Sequence, residues 1–245
     1  MSKAITPAGT TPRVIFFRHG ETEWSLSGQY TSITDLNLTP TGVRRVAAVG
    51  RALIGPDRLV DLRHVETVFV SPRARARETL DLLLANCDAQ PKPLPEVNEV
   101  VTEAVREWDY GDYEGLTTPQ IIELRIKRGT QTKDDPKWTI WRDGCEGGEK
   151  PADVTARLDA FIAQVIEVQQ KAVSEGRYGD VVIVAHGHIL RSLTMRWLKL
   201  RIEGSQPIAL ILEAGGSGVL SYEHHNWDER ALNLGGAFTV PKEVN

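Results

Sequence analysis

The run Val181-Val182-Ile183-Val184-Ala185 constrains this chain more than any other. It is a row of apolar residues, mostly β-branched, with no polar alternation. A strand of that kind has to be covered on both faces, which is the habit of parallel sheets flanked by helices. Val14-Ile15-Phe16-Phe17 and Thr67-Val68-Phe69-Val70 read the same way. Helical periodicity fills the intervals. Thr39-Pro40 opens a helix that stops near Gly55-Pro56, with Thr39 as N-cap and proline at the first helical position. Leu80, Leu83 and Leu84 share one helical face, and residues 116–128 predict another helix. In 151–173, Val154, Leu158, Phe161, Ile162, Val165 and Val168 recur at three- and four-residue spacing. Leu190, Leu193, Trp197 and Leu198 form a last helical face. Ile208–Leu212 and Val219–Tyr222 read as late strands, and 87–105 as an extended connection. Strands alternating with helices predict an α/β fold. No linker interrupts it, so residues 1–245 read as a single domain, with 1–11 as a loose lead-in.

Chemistry gathers where these strands end, the place at which open α/β sheets bind ligands. The first strand runs into Arg18-His19-Gly20-Glu21-Thr22. An imidazole beside a guanidinium, with a glycine admitting an anion to the backbone, suits attack on phosphorus. The Val181–Ala185 strand runs into His186-Gly187-His188, with Arg191 one turn later. Two strand-end His-Gly pairs in one chain weigh against the bland reading of each, a surface loop or a histidine packed at a helix start. A third strand runs into Ser71-Pro72-Arg73-Ala74-Arg75-Ala76-Arg77, then Thr79. Guanidinium groups at a helix N-terminus favour a bound phosphate. Arg73 and Arg77 cannot both share the direction of Arg75, so part of this run is a solvated basic face. Residues 106–115 are dense in carboxylates and aromatics, and Glu107 there is a candidate general acid.

The bulk properties narrow the partners. The formal net charge is −4, which disfavours nucleic acid. An anionic substrate then needs a locally positive site. Two cysteines, Cys87 and Cys145, give no disulfide framework. No segment reaches the ~18 apolar residues of a membrane span, and the N-terminus lacks a signal-peptide core. These features point to the cytoplasm, with the nucleus also open. They imply no membrane partner and are compatible with a homo-oligomer.

In this order, the four elements resemble the histidine phosphatase superfamily, the phosphoglycerate mutase-like fold. The resemblance rests on Arg18-His19-Gly20, on the pattern from Ser71 through Arg75 and Ala76 to Thr79, on Glu107 ahead of Tyr110-Gly111, and on His186-Gly187. It covers nearly the whole chain. It implies a three-layer sandwich with a mostly parallel central sheet between helices. Glu23-Trp24-Ser25, Ser27–Thr31, Arg106–Gly115, Ile140–Glu146 and Leu220–Asn226 further resemble the sedoheptulose-1,7-bisphosphatase branch. Ser25 stands where many superfamily members carry asparagine, in agreement with that branch. Leu198–Ala214 is shorter than the branch implies.

The resemblance implies a metal-independent phosphatase with no cofactor, acting on a small phosphate ester such as a sugar bisphosphate. His19 would be the nucleophile. Arg18, Arg75 and His186 would surround the phosphoryl oxygens, with His186 protonated once a dianion binds. Glu107 would be the general acid. Tyr30, Thr31, Tyr110, Ser25, Gly187 and His188 would bind substrate. Arg73 and Arg191 would serve a distal phosphate or hold the site together. Other readings stay open: a phosphatase for another small or biosynthetic phosphate, a mutase, a zinc protein using His186, His188, His224 and His225, or a non-catalytic phosphate binder. Phosphoglycerate mutases carry arginine after the glutamate. Trp108 stands there in this chain and favours hydrolysis.

Overall fold

A computed structural model describes residues 11–56, 58–87, 97–135, 137–204 and 208–235. Strand β1 (Val14–Arg18) leads through the short helix α1 (Glu23–Ser27) to α2 (Pro40–Leu53). Then come β2 (Val65–Val70), α3 (Ala74–Ala85) and β3 (Asn98–Val101). The helices α4 (Thr118–Lys127), α5 (Ile140–Asp143) and α6 (Pro151–Ser174) follow. Strand β4 (Asp180–Ala185), helix α7 (Gly187–Trp197) and strands β5 (Ser217–Tyr222) and β6 (Arg230–Asn233) end the described order.

The strands form one sheet in the order β3-β2-β4-β1-β5-β6. Pairings among the first four are parallel, and β5 runs antiparallel to both neighbours. The expected mostly parallel sheet is therefore present. Its two faces separate residue by residue, as a side-chain period of two requires. Val14, Phe16, Val181, Ile183 and Ala185 pack with α6 and α7 residues such as Leu158, Phe161 and Leu193. Ile15, Phe17, Val68, Val70, Val182 and Val184 pack instead with Val46 of α2 and with Leu80 and Leu83 of α3. Helices cover both faces, which is why Val181–Ala185 shows no polar alternation.

This two-sided cover creates the site. β1 and β4 are parallel neighbours, yet α2 packs on one face of the sheet and α7 on the other. The connections diverge and leave a crevice at the carboxyl ends of the two strands. The ladder continues one residue past the crevice edge, with His19 N–H donating to Ala185 C=O at 2.9 Å and Ser71 N–H to Val184 C=O at 3.0 Å.

Two sequence expectations need correction. Ile208–Leu212 forms no strand. One edge of β1 pairs with β4 and the other with β5, whose second edge pairs with β6, so the positions beside β1 and β5 are already taken. The stretch instead packs Leu210 and Leu212 on the core and leaves Ile211 87% exposed. The closing strand is β6, which the sequence pattern did not mark. The 87–105 stretch contains β3 and a turn of 3-10 helix at Glu103–Val105, while residues 88–96 lie outside the described residues. Residues 1–10 of the expected lead-in also lie outside them.

Candidate active site

His19 is the first residue beyond β1 and is 6% exposed. Its Nδ1 lies 2.7 Å from the Gly20 carbonyl, which can only accept, so Nδ1 carries the proton and Nε2 the lone pair. Burial holds its pKa well below the usual histidine value, and Arg75 and Arg18 push in the same direction. The ring is thus neutral, with an available nitrogen. Thr79 steadies this turn, accepting from Gly20 N–H at 3.0 Å and donating to Arg75 C=O at 2.7 Å.

Arg18 lines the pocket beside His19. Its Nη1 donates to Leu212 C=O at 2.7 Å, while its Nε is buried with no hydrogen-bond partner. A buried, unpartnered guanidinium N–H is a donor prepared for an anion. Gly187 permits its approach, since a Cβ on Gly187 would stand 3.2 Å from that Nε. The segment after α7 therefore has a part in the site through the Leu212 carbonyl.

His186 and Arg75 are both fully buried and sit next to His19 without lining the open pocket. The His19 and His186 ring centroids are 5.1 Å apart. Arg75 Nε donates to His186 Nδ1 at 3.2 Å, and His186 Nε2 meets Ser71 Oγ at 2.7 Å. A guanidinium only donates, so Nδ1 accepts and His186 is neutral here. Burial lowers its pKa well below the ordinary value, with Arg75 adding to the effect. Arg75 also donates to the carbonyls of Thr34 at 3.0 Å, Thr31 at 3.1 Å and Ser32 at 3.2 Å. Four of its five N–H groups thus face protein acceptors, which leaves one for a ligand.

Glu107 lines the same pocket. Its Oε1 accepts from Trp108 N–H at 3.0 Å and Ile189 N–H at 2.8 Å, and its Oε2 from His188 N–H at 2.9 Å. Two of these amides belong to the first turn of α7, whose N–H groups have no partners within the helix. One acceptor direction, on Oε2, is left. Trp108 is buried away from the pocket, with Nε1 on Ser192 Oγ at 3.1 Å.

The pocket has a volume of about 230 Å³. Tyr30, Thr31, Tyr110, Ser25, Gly187, His188 and Arg191 all line it. Tyr30 stacks on His188 at 5.4 Å. Burial, then Glu107, raises the Tyr110 pKa well above its usual value, and its phenol shares a hydrogen bond with His188 Nδ1 at 2.8 Å. Ser25 has a structural duty as well: its hydroxyl accepts from Thr22 N–H and donates to Thr22 C=O, both at 2.8 Å, closing the cap of α1. Arg191 rests over the Trp141 ring at 5.2 Å. Arg73 does not line the pocket and lies 3.9 Å from Glu103, and Arg77 is exposed. Thr118 also lines the pocket, and no sequence signal marked it. The four histidines of the zinc alternative do not assemble. β5 runs antiparallel to β1, so His224 and His225 emerge at the opposite end of the sheet from His186. Among the described residues, no helix is long and apolar enough to cross a membrane.

Comparison with known proteins agrees with this geometry. Residues 14–235 match the histidine phosphatase superfamily (branch 1). The chain is 41% identical to the sedoheptulose 1,7-bisphosphatase of Saccharomyces cerevisiae, across 95% of this chain and 96% of that protein. It is 36% identical to an acid phosphatase of Mycobacterium tuberculosis, across 86% and 87% of the two chains. A solved structure of an open reading frame product from Mycobacterium tuberculosis superposes with a TM-score of 0.68 at 33% identity, covering 93% of this chain and 98% of that one. With its strand-end histidines, its buried arginines and these relatives, the chain belongs to the histidine phosphatase superfamily, and it is a phosphoric monoester hydrolase.

Proposed function

We propose that this hydrolase removes the phosphoryl group of a small sugar phosphate by way of a phosphohistidine on His19. The observation that carries the reading is the His19 Nδ1–H bond to Gly20 C=O, which leaves Nε2 unprotonated inside the pocket beside Arg18. In the first step Nε2 attacks phosphorus and the ester P–O bond breaks. The leaving alkoxide takes a proton from Glu107, held at the one free direction of Oε2. In the second step Glu107 accepts a proton from water, whose oxygen attacks the phosphohistidine and releases inorganic phosphate. The buried Nε of Arg18 and the remaining N–H of Arg75 stabilise the charge on the phosphoryl oxygens. No step calls for a metal or cofactor. Tyr30, Thr31, Tyr110 and His188 hold the rest of the ester. Sedoheptulose 1,7-bisphosphate is the first substrate to try, on the strength of the yeast relative.

The test is a phosphate-release screen across sugar mono- and bisphosphates, with His19→Ala as the blank and no bisphosphate primer added. Turnover is expected with at least one sugar phosphate and none in the variant. Trapping the phosphoryl group on any residue other than His19 overturns the mechanism, and a requirement for primer turns the reading to a mutase.

A further inference from the structure

Both ring nitrogens of His186 are held by side-chain partners, Arg75 on Nδ1 and Ser71 on Nε2. Ser71 is fully buried, and its backbone is fixed by the N–H bond to Val184 C=O at 3.0 Å. It does not line the open pocket, and its hydroxyl reaches the site through His186. Its hydroxyl can accept from Nε2–H, and the Arg75 N–H on the other side requires Nδ1 to be bare. Without the hydroxyl, nothing decides which ring nitrogen turns toward Arg75.

We infer that Ser71 is a positioning residue: its hydroxyl holds the His186 ring with Nε2–H buried against β2 and Nδ1 as the nitrogen that takes a proton and meets the phosphoryl group. The inference rests on the phosphatase reading for its meaning, though its geometry can be tested without turnover. As the structure stands, Nδ1 has no proton to give. Entry of a phosphoryl dianion therefore requires Arg75 Nε to release Nδ1 and a proton to arrive there from solvent. The charged and titratable groups around the ring are Arg75 and Arg73 near the start of α3, and His19 and Arg18 at the end of β1. The three arginines oppose an imidazolium until an anion offsets them. Anion binding and proton uptake at His186 are then one event.

The experiment uses the full chain with ¹⁵N-labelled histidine. His186→Asn identifies the ring signals, and sulfate is the probe because it stays a dianion across pH 5.5–8. Without sulfate, His186 is expected to show a protonated Nε2 and a bare Nδ1. An Nδ1–H tautomer overturns the inference. Saturating sulfate is expected to protonate Nδ1, and sulfate affinity to rise as pH falls, by up to tenfold per pH unit. Affinity independent of pH overturns the coupled uptake. Ser71→Ala is expected to give mixed ring signals and about tenfold weaker sulfate binding, the scale of one lost hydrogen bond. Ser71→Thr, which keeps the hydroxyl, is expected to restore the single tautomer. A single unchanged tautomer in folded Ser71→Ala overturns the role of Ser71, and the wild-type tautomer decides the matter if that variant does not fold. Failure of the phosphate-release screen alongside the expected ring signals would remove the catalytic reading and leave the positioning intact.

Discussion

At the scale of single residues, the site depends on which hydrogen bonds have been used and which left over. Glu107 keeps one acceptor direction on Oε2, and a proton there matters only if the leaving group needs it. Glu107→Gln should therefore slow alkyl phosphates far more than aryl phosphates, by about 100-fold or more in kcat/KM against about tenfold or less. Equal losses on both would remove Glu107 from the acid role. Gly187 gives a cleaner separation of fold from function. At the first position of α7 alanine is tolerated by the helix, yet a Cβ there would stand 3.2 Å from Arg18 Nε. Gly187→Ala should leave the melting temperature unchanged or raised while lifting KM several-fold. A parallel loss of stability and activity would argue that Gly187 serves packing instead.

At the scale of elements, the segment from Tyr30 to Thr34 links the substrate rim to the buried arginine. Tyr30 and Thr31 line the pocket, while the carbonyls of Thr31, Ser32 and Thr34 hold Arg75. The segment is itself held by Glu114, whose carboxylate accepts from Ser32 N–H and Thr34 N–H at 2.9 Å. Glu114→Ala should cost about 1–3 kcal/mol in stability through those lost bonds. It should also raise KM for the ester, a joint effect that denaturant titration and steady-state kinetics can read. None of this was visible in the sequence, because Arg75 is oriented by backbone carbonyls, which carry no residue code. His19 and His186 were visible for the opposite reason: each follows directly on an uninterrupted apolar strand, and that pattern marks the crevice edge. The helices were legible from periodicity and caps, with α6 at Pro151–Ser174 against an expected 151–173. β6 and the irregular course of 208–212 were not, since which edge of a sheet stays open is decided by pairing partners elsewhere in the chain.

At the scale of the whole molecule, concentrating neutral imidazoles in one crevice makes stability depend on pH. His19, His186 and His188 are each held well below the ordinary histidine pKa, by burial first and by neighbouring arginines second, with His19 adding to the effect on His186. In the unfolded chain they titrate near pH ~6.5. Below that pH the unfolded state binds more protons than the folded one. Stability is therefore fully present above about pH 6.5 and is lost as pH falls, by up to about 1.4 kcal/mol per pH unit for each histidine. Urea unfolding between pH 7 and 5.5 should show this slope, and His188→Gln should reduce it. A flat profile would mean the histidines are not buried as neutral rings. Sulfate should oppose the loss, because an anion in the crevice favours the protonated form of His186.

The spacing of the two histidines has its own consequence. His19 extends the ladder between β1 and β4 by one residue, His186 directly follows β4, and their rings lie 5.1 Å apart, close to the ~4.8 Å between neighbouring strands. The sheet acts as a gauge block: the spacing of the two backbones from which the rings project is a property of peptide hydrogen bonding and is indifferent to which apolar side chains fill the strands. Segments at the rim, such as 29–34 and 208–214, can lengthen, shorten or change residue without altering that interval. A single phosphorus chemistry can thus be kept in calibration while the choice of ester is rewritten around it.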